Sequence, residues 1–227
     1  MAALVWDAIG THYYENGTAH AVLYLQDDNN EYSKGVAWNG ITAVNESPGG
    51  AEPTDLWADN IKYASMRSAE TFGGTIEAYT YPDEFAQCDG SAEPIKGLYI
   101  GQQSRKPFGF SYRSEIHNDT ATENDDGYKL HLIYNASASP SERAYATIND
   151  SPEAITFSWE ITTTPISITG FKPTSVITIN SVKIDPDKLA ALELIMYGSD
   201  TEEPRLPLPD EVITILGDGV VAEEIKG

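Results

Sequence analysis

Four histidines, one cysteine and 35 carboxylates are the groups in this chain most able to do chemistry. His12, His20, His117 and His131 fall in no metal-ligand or nucleophile–base spacing, and His117 and His131 read as imidazoles satisfied on strands. The segment "NDTATENDDG" (118–127) is acidic enough to suggest calcium. Its acids lack the alternating order around a central glycine that an oxygen cage needs, so a solvated hairpin loop is expected. A carboxylate pair for glycoside hydrolysis can be nominated anywhere among so many acids, which empties the nomination. No phosphate-cradling loop, nucleophile elbow or paired Cys-x-x-Cys occurs. The expectation is a protein with no catalytic residues, no metal and no cofactor.

The charges are more telling. Asp and Glu number 35 against 14 Lys and Arg, a formal net charge of −21 in 227 residues. Such a surface repels nucleic-acid phosphates, which excludes ordinary DNA binding through counterion release. Yet Arg105, Lys106 and Arg113 cluster on one ribbon, "GQQSRKPFGFSYRSEIHND" (101–119), interleaved with Phe108, Phe110 and Tyr112. Alternation places those aromatics on one face of a strand and Ser111, Arg113, Glu115 and His117 on the other.

The elements that must position these residues are mostly strands. Period-2 patterns rich in β-branched and aromatic residues occupy 19–27, 60–68, 74–81, 108–117, 128–136, 154–163 and 174–182. The second and third of these read as a pair joined through "AETFGG". A helix is expected over about 185–197, capped by Asp185, with Pro186 in its first turn, Gly198 at its end, and Leu189, Leu192 and Met196 on its apolar face. "PDEFAQCDG" (82–90) reads as a one- or two-turn helix. Residues 41–60 read as a long working loop with Leu56 and Trp57 as buriable anchors, and 199–213, with three prolines, as an arm. On 155–163, Ile155, Phe157, Trp159 and Ile161 alternate with Thr156, Ser158, Glu160 and Thr162, a packed face and a wetted one. No window of about 20 apolar residues is present, so no membrane span is expected. A basic region followed by an apolar run is missing from the N-terminus, so no secretory signal is read there. Cys88 alone excludes an internal disulfide and fits synthesis in a reducing compartment. The expected fold is mainly β, a sandwich or half-barrel flanked by one helix.

Several blocks, in order, resemble one family: "KGVAWNGITAVNESPGGAE", "EAYTYPDEFAQCDGS", "GQQSRKPFGFSYR", "GYKLHLIYNASASPSE", "TINDSPEAITFSWE", "GFKPTSVITI" and "RLPLPDEV". Together they look like the major tail tube protein of long-tailed phages of Gram-positive bacteria. The resemblance implies a tube domain over 1–213, with 214–227 a tail of no assigned role. It implies six subunits closing a ring, rings stacking into a virion tail tube made in the host cytoplasm, and passage of DNA through the lumen. Tape-measure, tail-terminator and baseplate proteins would be the partners. On that reading Thr156, Ser158, Glu160 and Thr162, with Glu77 as a weaker candidate beside Tyr79 and Tyr81, would line the lumen. Arg105, Lys106, Arg113 and Glu115 would offset repulsion between subunits; the alternative is a set of cations paired inside one subunit. Leu56 and Trp57 would anchor stacking. The alternative is a monomeric β-sandwich that binds carbohydrate or a host surface through Trp38, Trp57 or Trp159.

Overall fold

Alternation over the 12-residue strand β1 (Tyr14–Leu25) and its neighbours builds a sheet whose two faces bury different things. In the computed structural model, which describes residues 4–120, 127–148, 150 and 154–217, the chain runs from β1 into β2 (Lys34–Ala37) and β3 (Ile41–Glu46). A ribbon follows: β4 (Gly49–Gly50), β5 (Pro53–Ala58), β6 (Ile61–Arg67) and β7 (Glu70–Thr71). Next come β8 (Gly73–Ala78), a 3-10 turn (Asp83–Gln87), and a small hairpin of β9 (Ala92–Ile95) and β10 (Leu98–Ile100). β11 (Phe108–His117), β12 (Tyr128–Ala138), β13 (Phe157–Thr163) and β14 (Val176–Asn180) precede α1 (Pro186–Tyr197) and α2 (Pro209–Leu216). The mainly β expectation holds.

The main sheet is ordered β2-β1-β11-β12-β13-β8-β3, with β14 beside the first half of β12, and every pairing is antiparallel. Its two terminal strands, β2 and β3, are consecutive in sequence and joined through Trp38–Gly40, so the sheet must curl into a half-barrel. Inside lies an aromatic cluster. Trp38 packs against Phe85, Phe110 and Trp159 at centroid distances of 4.5, 5.7 and 5.5 Å, the last two edge-on. Phe85, carried in by the 3-10 turn, plugs the shell together with Cys88, whose thiol burial pushes up to about 12.

Outside β1, β11 and β12 a second core forms from Val22, Tyr24, Leu130, Leu132 and Tyr134 beneath Leu189, Leu192 and Met196 of α1. Asp185 caps that helix, accepting from Asp187 N at 2.9 Å, and Gly198 ends it at φ 76°. The tyrosines here spend their hydroxyls on backbone: Tyr24 donates to Met196 O and Tyr134 to Pro207 O.

Three connections differ from the sequence reading. Residues 41–60 are no loop: β3 belongs to the main sheet, and the chain continues as a hairpin turning at Asp59 and Asn60, both at positive φ (52° and 65°). That is the pair of left-handed residues a tight two-residue turn requires. It follows that 60–68 pairs with β5, not with 74–81. The 199–213 arm folds back on its own subunit. Leu206 bridges Tyr32, Gly35 N donates to Pro204 O at 2.7 Å, and Pro209 opens a second helix that buries Val212. The prolines mark where the chain skirts the sheet edge and where α2 begins. The boundary at 213/214 therefore cuts a helix. The centre of the acidic loop (121–126), the turn at 149 and 151–152, and the tail from 218 lie outside the described residues.

Candidate functional site

The wetted face is where its residues can be placed with least ambiguity. Ser158 pairs with Glu77, Glu160 with Thr75 and Thr162 with Gly73, while Asn45 of β3 pairs with Thr75 and Ser137 of β12 with Thr162. Residues directly opposite in an antiparallel pair share a face. Asn45, Thr75, Glu77, Ser137, Ser158, Glu160 and Thr162 therefore form one outward surface, with Trp159, Ile161 and Ile76 behind it in the core. Among the described residues this surface carries hydroxyls, an amide and two carboxylates, and neither Lys nor Arg. Of the two tyrosines beside Glu77, Tyr81 turns inward to meet Phe85 and Trp159, while Tyr79 stays exposed. Thr156 loses it: β13 starts at Phe157, and Thr156 and Ile155 precede it in an exposed lead-in.

The hairpin over 47–72 is the second feature. From Gly49 to Thr71 every residue is exposed except half-buried Ala64. Leu56 (41% exposed) and Trp57 (68%) stand uncovered, with Ile61, Tyr63 and Met66. Leu56 pairs with Ala64 and Trp57 with Lys62. The register slips between these two pairs, one step on β5 against two on β6, so both side chains sit at a bulge in the ribbon. The ribbon leaves the shell where backbones nearly touch: a Cβ on Gly74 would lie 2.5 Å from Asn45 O. Sequence analysis missed a second uncovered apolar hairpin, β9–β10, with Ile95, Leu98, Tyr99 and Ile100 exposed. Its signal was the Lys96-Gly97 turn between two apolar pairs.

The three cations do not share a surface. Arg113 sits on the outer face of β11 beneath α1, where Nη2 donates to Glu193 Oε1 at 2.6 Å and Nε to Tyr197 Oη at 3.1 Å. Its guanidinium also lies 4.1 Å from the Tyr128 ring centroid. The Arg113 charge is thus answered within the subunit, the alternative that strand alternation could not separate from an intersubunit pair. Arg105 is partly buried and donates to Asp89 O at 3.0 Å. Lys106 is exposed, its backbone N–H bound to Gln87 O, and exposed Glu115 has His117 at 3.7 Å.

At the hairpin base, Glu46 reaches across the shell. Tyr112 Oη donates to its Oε1 at 2.7 Å and His131 Nδ1 lies 3.4 Å from the same atom. The His131 imidazole, first of all, and the Tyr112 hydroxyl hold the Glu46 carboxyl below the usual carboxylate range, against the opposing effect of burial. Trp38 and Trp159, two of the three tryptophans a sugar platform would have used, are in the core. No cluster of ligating side chains suited to a metal ion occurs among the described residues, and no helix there is long and apolar enough to cross a membrane. Neither a protein-family model nor a curated protein matches this chain.

Proposed function

We propose that the chain is a structural tail-tube subunit of a long-tailed phage: six copies close a ring, and rings stack into a tube through which the genome leaves the virion. The observation that carries this reading is the hairpin over 47–72. Its Leu56, Trp57, Ile61, Tyr63 and Met66 are left uncovered by their own subunit, an arrangement that favours burial between copies of the chain. Contacts of this head-to-tail kind close rings or extend filaments according to the rotation they impose.

The cation-free face over β3, β8 and β13 supports the conduit part. A Lys or Arg on a lumen wall would capture phosphates and slow the duplex, whereas hydroxyls and carboxylates leave it centred and mobile. The resemblance supplies the rest: a virion-tail location after synthesis in the host cytoplasm, and tape-measure, terminator and baseplate proteins as partners.

The test is a negative-stain image of purified protein across a concentration series, beside a variant in which residues 51–68 are replaced by a two-residue turn joining β4 to β7. Rings or tubes for the parent and monomers for the folded variant are expected. A parent that stays monomeric by light scattering at about millimolar concentration, even with tail-initiator proteins added, would leave the binding-module alternative standing.

A further inference from the structure

The two uncovered hairpins leave the shell from opposite ends of one strand. β8 starts at Gly73, where the 47–72 ribbon returns and Ser47 N donates to Gly73 O. It finishes at Ala78, and the chain passes directly into the 3-10 turn that carries β9–β10. The strand is six residues long, so its ends stand about 17 Å apart, at opposite poles of the half-barrel. β11 starts at the β9–β10 pole, just after that hairpin returns, and its far end lies at the other.

The β9–β10 hairpin is presented to solvent on a fixed neck. From Ala92 to Ser104 every residue is exposed, Ile95, Leu98, Tyr99 and Ile100 among them. Beneath them, Gln103 N donates to Gly90 O at 2.9 Å and Lys106 N to Gln87 O at 3.1 Å. Gly90 sits at φ 78°, and a Cβ there would lie 3.1 Å from Gln103 O, so the neck closes tightly. A two-stranded hairpin with no layer packed on it is marginal in water. The same holds for β5–β6, and each hairpin needs a surface from outside its own subunit.

Charge selects which surface. Residues 49–71 carry Glu52, Asp55, Asp59 and Glu70 against Lys62 and Arg67, a net −2. Residues 91–106 carry Lys96, Arg105 and Lys106 against Glu93, a net +2 within a chain of −21. The turn beneath adds Asp83, and Glu84 paired with Lys34, and the pole stays positive. Ribbon on ribbon would set like charges together, and such an isologous pair stops at two copies. Ribbon and β9–β10 hairpin of one chain are held apart by β8, but those of successive copies are not. We propose that β9–β10 receives the 47–72 ribbon of the next copy, in a head-to-tail contact directed along β8. That direction runs along the cation-free face, which Thr75 and Glu77 of β8 help to form. The inference rests on the reading that copies of this chain assemble, and it names the surface on which the ribbon docks.

The experiment mixes two variants and follows mass by sedimentation velocity beside negative-stain images. One has residues 51–68 replaced by the two-residue turn, with Trp57→Asp in its place if that chain does not fold. The other carries Ile95→Asp with Leu98→Asp, cross-strand partners in the hairpin, with Ile100→Asp as the independent substitute. The hairpin variant should melt as the parent does, because these side chains are exposed in the subunit. Alone, each variant should need at least about tenfold more protein than the parent to stack. Mixed one to one they should associate, since the first keeps an intact β9–β10 and the second an intact ribbon. Growth should stop after that single junction, at twice the mass of either alone. A mixture that forms no complex overturns the contact. A parent that assembles while the hairpin variant assembles equally well also overturns it, and leaves the tube reading standing. A parent that stays monomeric rejects both. Open head-to-tail filaments without rings uphold the contact and reject the ring of six.

Discussion

Arg113 Nη2 and Glu193 Oε1 lie 2.6 Å apart, joining the outer face of β11 to the middle of α1. Both side chains are largely withdrawn from water, at 16% and 20% exposure, so the pair acts in a medium that screens it weakly. Removing Arg113 leaves the Glu193 carboxylate with Tyr128 as its donor but no cation, and leaves the Tyr197 hydroxyl without its guanidinium. Arg113→Glu should therefore destabilise the isolated subunit by about 3 kcal/mol, read as a shift in the urea midpoint at constant slope. Arg113→Met with Glu193→Gln should recover much of that loss. A variant that melts normally but fails to assemble would instead assign the charge to a subunit contact.

Gly74 has no room for a side chain, because a Cβ would meet Asn45 O at 2.5 Å, and backbone cannot yield as a flexible side chain can. Gly74→Ala should cost about 1–3 kcal/mol and loosen the β3–β8 ladder where the hairpin departs. Hydrogen exchange at the amides of β3 and β8 would show the loss locally, with α1 amides unaffected.

Leu56 and Trp57 stand uncovered on the hairpin, at 41% and 68% exposure. Leu56→Asp and Trp57→Asp should each weaken assembly without lowering the melting temperature of the unassembled chain. Sedimentation velocity across concentration measures both. Equal assembly by either variant and the parent would remove that residue from any contact.

Glu160 pairs with Thr75 at the centre of the cation-free face. In an assembling tail, Glu160→Lys should leave tube length unchanged and slow DNA ejection, more so at low salt, because the new cation meets phosphates that counterions screen poorly. Unchanged ejection kinetics at low salt, with the lysine confirmed in the virion, would move this face away from the lumen.

Arg205 grips Glu211 with both guanidinium nitrogens, Nη1 to Oε2 at 2.8 Å and Nη2 to Oε1 at 2.5 Å, tying the 199–208 return to α2. The Arg205 hydrogen bonds, first among the causes, hold the Glu211 carboxyl below its ordinary value. A depressed carboxyl contributes stability that is complete above the unfolded-state value and is lost as pH falls through the folded one. Arg205→Ala should therefore lower stability slightly at neutral pH and make no difference once pH falls below the folded-state value, which flattens the acid limb of the stability curve. The pair is well exposed to solvent, so the effect is small and shrinks with salt.

What the sequence determined by itself was local. Asp185, Pro186 and Gly198 bound α1 because caps act on orphan backbone groups within a turn, and the alternation over 108–117 and 157–163 fixed which residues face inward. Chain folding decided what depends on a distant partner. Arg113 could not be assigned from its strand, because Glu193 lies 80 residues on. Residues 53–58 read as loop because Pro53 and Asp55 mask the pattern, and they become a strand only because the Asp59-Asn60 turn supplies β6 as a ladder partner. Arm 199–213 looked free because prolines forbid a central strand, but Leu206 and Val212 found a groove that exists only once β1, β11 and β12 are side by side. Propensities and caps are summed over neighbours in the chain, whereas strand pairing, charge pairing and burial are settled by neighbours in space, and that is where the sequence stopped speaking.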